Sequence, residues 1–171
     1  MEFFNTKKVC TPITKEEVLS LQVGDIISVF GNVLCGRDSV LPRITKLLEE
    51  GVDIGFPLEG YAVFHTAVSS AGLGPTSSNK AEIESSIIPL SKAGIRLHIG
   101  KGRLHQETLD TLPLYDAVYA VIPPVTALLE SRIINKKMLA YPELGMEALY
   151  LIEVKGLQII IAAAHGRSIY E

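Results

Sequence analysis

Apolar and polar positions along the chain divide it into short strands and helices. Ile26 to Leu34 is β-rich and predicts a strand, with Gly31 interrupting it as a bend or bulge. Ahead of it, Thr14-Lys15-Glu16-Glu17 predicts a capped start to a short helix with Val18, Leu19 and Leu21 on its apolar side. Leu41, Ile44, Leu47 and Leu48 recur at helical spacing, which predicts a helix over Ser39 to Glu50 with Pro42 in its first turn. Tyr61 to Val68 predicts a strand, Glu82 to Ala93 a helix with Pro89 as a kink point, and Ile95 to Ile99 another strand. His105 to Leu112 and Val125 to Ile134 read as short helices, and Asp116 to Ile122 and Lys137 to Tyr141 as strands. Leu149 to Val154 and Leu157 to Ala163 predict two strands joined by Lys155-Gly156 as a two-residue hairpin. Strands and helices alternate in the middle and the ends are β-rich, which predicts a mixed α/β layered domain.

One stretch between these elements stands apart. Ser70 to Lys80 carries small residues, Gly72, Gly74, Pro75, a group of hydroxyls and a terminal cation. Asn79 and Glu82 fit a helix-start capping pair. A loop of this kind at a helix N-terminus presents free N–H groups and the positive end of the helix dipole to a carboxylate or phosphate. The same residues also fit an ordinary polar connection with a helix cap. Lys80 in the first helical turn is poorly placed for the dipole, which hints at a negative ligand.

Composition narrows the classes. The 171 residues suit one domain spanning 1–171, with enough length to bury a core. Hydrophobic content of 47% against 20% charged excludes disorder, and the low charge suggests a surface covered by a partner. A net charge of −3 without a basic cluster argues against nucleic acid. No apolar run approaches the roughly 18 residues of a membrane span. The N-terminus has no apolar signal region, and Cys10 and Cys35 give no disulfide framework, so a cytoplasmic location is expected.

Three glycine-bearing strand ends are the candidate chemistry: Gly36-Arg37-Asp38, the loop from Gly72 to Lys80, and Gly100-Lys101-Gly102. Ligands of open α/β sheets sit outside the carboxyl ends of strands. If these ends are neighbours, Arg37, Lys80 and Lys101 converge beside Thr76, Ser77 and Ser78, a set that suits a small dicarboxylate. Taken singly, Arg37 reads better as a structural ion pair with Asp38 or a nearby acid, and Lys101 as a solvated turn residue; the coincidence of all three cations shifts the balance toward a ligand. His65 and His98 lie in apolar strands and read as core histidines, or as ones that support a site from behind, rather than as ligands, and no histidine has metal spacing. Two cysteines 25 positions apart do not hold an iron–sulfur cluster, which needs three or four thiolates.

At these motifs the chain resembles the β subunit, or C-terminal domain, of the class I fumarase and L-tartrate dehydratase family of iron–sulfur hydro-lyases. The resemblance runs from Thr14 to Tyr170. It is carried by Leu21 to Asp25, Gly31 to Arg43, Ala71 to Ser78 with Gly74-Pro75-Thr76, Ile99 to Gly102, and Leu144 to Ala148 in that order. It implies a swivelling β/β/α layered domain with a mixed sheet, and a partner α subunit that carries a [4Fe–4S] cluster with none bound by this chain. It implies reversible addition of water to a small dicarboxylate, fumarate or a tartrate-like relative. Carried over by motif, Arg37, Lys80, Ser77 and Gly74 would bind substrate, Thr76 would be the base and Lys101 would assist. The assembly would be an αβ hetero-oligomer or a homodimer of this chain.

The chain departs from the family pattern at three places. Leu41 stands where the family has histidine, Lys80 where it has arginine, and Pro123-Pro124 where it has a glycine pair. A lysine replaces a two-pronged carboxylate clamp with a single contact. These departures fit a different hydroxy acid. They also fit an alternative, a non-catalytic paralogue that serves as a dicarboxylate-binding or assembly module.

Overall fold

The computed structural model describes residues 6–69, 72–76, 80–122 and 132–171. Its strands are β1 (Lys7–Cys10), β2 (Ile26–Cys35), β3 (Ala62–Phe64), β4 (Thr66–Ser69), β5 (Gly72–Thr76), β6 (Leu97–Gly100), β7 (Val118–Val121), β8 (Ile133–Ala140), β9 (Leu149–Ala164) and β10 (Arg167–Ser168). Its helices are α1 (Lys15–Ser20), α2 (Leu41–Glu49), α3 (Lys80–Lys92) and α4 (Gln106–Thr111). The architecture is mixed α/β. β2, β3, β6 and β7 pair in parallel, and the long β9 pairs antiparallel with both β2 and β7. Those pairings join β2, β3, β6, β7 and β9 into a closed ring.

Alternation along the strands fills this ring. Ile27, Val29, Val33 and Cys35 of β2, Ala62 and Phe64 of β3, Leu97 and Ile99 of β6, and Val118 and Ala120 of β7 belong to one buried cluster. Ile152, Val154, Leu157, Ile159 and Ile161 of β9 complete it. Each fully buried aliphatic side chain contributes on the order of 1.5–3 kcal/mol. The opposite side of the same strands is covered by helices. Val63 and Leu34 pack with Leu41 and Ile44 of α2 and Leu90 of α3, while Ile87 of α3 packs with Leu109 of α4 and Tyr119 of β7. The side-chain period of two makes this division unavoidable once the strands are paired.

Local signals set several element ends. Thr14 accepts a hydrogen bond from Glu17 N (3.2 Å) while Thr14 N donates to the Glu17 carboxylate (3.0 Å), the reciprocal cap expected from the sequence. Gly31 sits inside the continuous β2 with φ +103°, and a Cβ there would meet Thr11 Oγ1 at 2.5 Å. The bend is real and the strand continues through it.

The Lys155-Gly156 hairpin is not formed. β9 is one strand of 16 residues. Its inward positions are Ile152 and Val154 before Lys155-Gly156, and Leu157, Ile159 and Ile161 after it. That phase shift of one residue marks a bulge. Val29 pairs Leu157 and Phe30 pairs Lys155, so Gly156 is the extra residue, at φ +73°. Tyr61 to Val68 is likewise two strands, β3 and β4, broken at His65. Residues 72–76 form a strand rather than a loop, paired antiparallel with β4. Arg132 is a turn residue and Ile133 and Ile134 begin β8 instead of ending a helix; residues 123–131, with Pro123-Pro124, lie outside the described residues. β1 has no counterpart in the sequence reading. Among the described residues no helix is long and apolar enough to cross a membrane.

Candidate functional site

The carboxyl ends of β2, β3 and β6 lie side by side. Gly36 N donates to Phe64 O (3.1 Å), and His65 N donates to Ile99 O (3.0 Å). Arg37 follows β2 after Gly36, and Lys101 follows β6 directly. β4 leaves from the same edge and β5 returns to it, so that Thr76 pairs with Thr66, the residue after His65. Gly74 lies within β5, and α3 begins at Lys80. The backbone therefore brings Arg37, Thr76 and Lys101 to one edge, with the chain running on from Thr76 to Lys80. Ser77, Ser78 and the proposed cap at Asn79 lie outside the described residues.

Arg37 is half-buried and paired with Glu147, 110 residues away. Its Nε donates to Glu147 Oε1 at 2.8 Å and its Nη2 donates to the same oxygen. Hydrogen bonding to this carboxylate raises the Arg37 pKa against the opposing effect of burial. Glu147 ends a 3-10 segment, Pro142–Glu147, and its Oε2 is buried without a partner among the described residues. The pair thus holds one cation and one incompletely satisfied carboxylate at the end of β2. Leu41, the first residue of α2, is buried with Val40 and Ile44, where it packs as core.

Lys101 is exposed and forms no ion pair among the described residues. The turn that carries it is set by Tyr119. A Cβ on Gly100 would lie 3.0 Å from the Tyr119 ring and hydroxyl, and that hydroxyl donates to Gly102 O (3.1 Å). Beyond the turn, Arg103, Leu104, His105 and Gln106 line a cleft of about 280 Å³. Buried Glu84 of α3 accepts from His105 N (2.7 Å) and from His105 Nδ1, which ties α4 to α3.

His65 and His98 form a buried pair that composition alone presents as core. His65 Nε2 and His98 Nδ1 are 3.3 Å apart, and His98 Nε2 is 2.7 Å from Ser91 Oγ on α3. Burial holds the His65 pKa down to about 4, and burial followed by the neighbouring ring holds His98 well below its usual value. The sequence offers an ion pair for Arg37 and a buried setting for both histidines, but names neither the link through Ser91 nor Glu147 as the partner. A histidine in or just after an apolar strand, three residues ahead of Lys101 in one case, was the available signal for the first. The second has no local signal.

The residues of this chain do not fit an iron–sulfur cluster. Cys35 is buried inside the strand ring, where burial pushes its thiol pKa up, and Cys10 is exposed on β1. Among the described residues no three His, Cys, Asp or Glu side chains gather as a metal site.

The ring is mixed α/β, and it carries cationic residues at the carboxyl ends of parallel strands, the edge at which open α/β sheets take their ligands. Residues 5–171 match the family described as Fumarase C-terminus, and the chain belongs to that family. It is 31% identical to a protein of Methanocaldococcus jannaschii named for the beta subunit of L(+)-tartrate dehydratase, over 93% of this chain and 88% of the relative. It is 28% identical to the L(+)-tartrate dehydratase subunit beta of Escherichia coli, over 95% of this chain and 86% of the relative. It also matches the anaerobic class I fumarate hydratase of Escherichia coli at 24% identity, over 79% of this chain and 26% of that protein.

Proposed function

We propose that this chain is the β subunit of a hydro-lyase that adds water to, or removes it from, a small dicarboxylate. It works as one swivelling β/β/α domain, in the cytoplasm, with an α subunit that supplies a [4Fe–4S] cluster. The family membership supports the reaction class, and the names of the relatives support a tartrate-like or fumarate-like substrate. The observation that carries the reading is the adjacency of the β2, β3 and β6 ends, which gathers Arg37, Thr76 and Lys101 along one edge. In this reading Arg37 grips one carboxylate by its guanidinium fork, with Glu147 fixing its orientation. Lys80 and Lys101 contribute positive charge, and Ser77 and the Gly74 backbone line the site. Thr76 is the base, which requires a cationic, water-poor surrounding to lower its pKa. The cluster, when bound by the α subunit, supplies a Lewis acid.

A second reading, a dicarboxylate-binding or assembly module, is favoured by one observation: the Arg37 fork is already engaged by Glu147. Turnover of the chain assembled with its α subunit separates the two. Arg37→Ala and Thr76→Ala are each expected to abolish turnover while circular dichroism and complex formation are kept. Full activity in either variant overturns the roles assigned, and binding without turnover in the wild type selects the module.

A further inference from the structure

A buried polar chain beneath α3 has a direction that its own bond lengths determine. Ser91 Oγ lies 2.7 Å from the Ile87 carbonyl oxygen. A carbonyl oxygen only accepts, so the one hydroxyl proton of Ser91 lies between them. His98 Nε2, 2.7 Å from the same Oγ, must then donate to it. A neutral imidazole has a single N–H, so His98 Nδ1 is an acceptor, and His65 Nε2 donates to it. This leaves His65 Nδ1 as a bare lone pair. That atom is buried and has no partner among the described residues. Both rings are wholly buried, which favours the neutral forms that this order requires.

An unsatisfied buried acceptor is rare and costly, and its natural complement is a donor. Its position says which donor. His65 is the residue at which β3 gives way to β4, its N–H is held by Ile99 O, and the next residue pairs with Thr76. We infer that His65 Nδ1 accepts a hydrogen bond from the O–H that the reaction removes or adds: the hydroxyl of a hydroxy-diacid, or the incoming water. The inference rests on the hydro-lyase reading. His65 is a binding residue that distinguishes a hydroxylated diacid from one without the hydroxyl. His98 and Ser91 are positioning residues that hold its tautomer. No proton moves to His65, whose burial makes it a weak base.

Histidine-selective nitrogen NMR on the chain assembled with its α subunit tests this. Expected are N–H at Nε2 of both rings, and a His65 Nδ1 resonance that shifts on adding tartrate or malate but not succinate, which has no hydroxyl. His65→Phe should raise KM for the hydroxylated substrate about tenfold, the effect of one lost hydrogen bond, with kcat nearly kept and succinate inhibition unchanged. His65→Gln, which retains an acceptor, should recover part of that loss. A His65 Nδ1 protonated in the free enzyme overturns the inference. So does a resonance that no diacid moves, which indicates an enclosed structural water only, or one that succinate moves equally. Normal wild-type turnover with any of these results removes the inference alone. A wild-type complex that binds and turns over no diacid removes the hydro-lyase reading, and the inference with it.

Discussion

Along β3 and β6, successive side chains go to opposite sides. Ala62, Phe64, Leu97 and Ile99 enter the ring, where they pack with the aliphatic side chains of β2, β7 and β9 and the Cys35 thiol is enclosed. Val63 and His98, paired in register, lie on the other side beneath the helices, where Ser91, His65 and Glu84 are also buried. The ring is a packing device. The outer face, which is continuous with the carboxyl edge carrying Arg37 and Lys101, is where polar groups are buried and bonded. Apolar packing is therefore concentrated inside the ring, and buried polar contacts on the helix-covered side.

The sharpest way to break this comparison is to cut a side chain out of the ring. Ile159→Ala should lower unfolding free energy by about 3–4 kcal/mol in urea titration, while activity per folded molecule is kept. A loss below about 1 kcal/mol would mean that the ring interior is not the main core.

The outer face should show itself as a pH dependence. The folded His65 pKa is held down to about 4, against about 6.5 when unfolded. Between these values the unfolded chain binds more protons, so stability is complete above pH 6.5 and falls as pH drops toward 4. Between pH 7 and 5 the loss from His65 is roughly 2 kcal/mol, with His98 adding in the same direction. Replacing both rings, by His65→Phe with His98→Leu, should flatten that part of the profile. An unchanged slope would mean that the rings are not buried as neutral groups.

At the edge the effects are smaller. Glu147→Ala removes the partner of a half-buried Arg37 and should cost about 1–2 kcal/mol, an amount that added salt reduces. Gly156→Ala strains the bulge of β9 at φ +73° and should cost about 1–2 kcal/mol. No loss at Gly156 would mean that the bulge can migrate.

The parts legible in the sequence are those written locally. The Thr14–Glu17 cap, the α2 stripe and the glycine-marked strand ends each depend on residues within a few positions of one another. The meeting of the Arg37, Thr76 and Lys101 strand ends was legible only as a condition, because strand order is a long-range property. The Gly156 bulge and a hairpin share one local signature, a glycine between two apolar alternations. Only the pairing of β2 with β9 through that point decides between them. Glu147 finds Arg37 across 110 residues, and Ser91 finds His98 through packing of α3 on β6, and neither leaves a periodic trace.

The most direct measurement is anaerobic turnover of this chain purified with the cluster-bearing α subunit proposed for it. The carbon–carbon double bond is followed by ultraviolet absorbance, with fumarate, malate and tartrate as substrates. The account predicts turnover of one of them by the wild type and none by Arg37→Ala. A stable, cluster-containing complex that turns over none of them, or one in which Arg37→Ala matches the wild type, would contradict it.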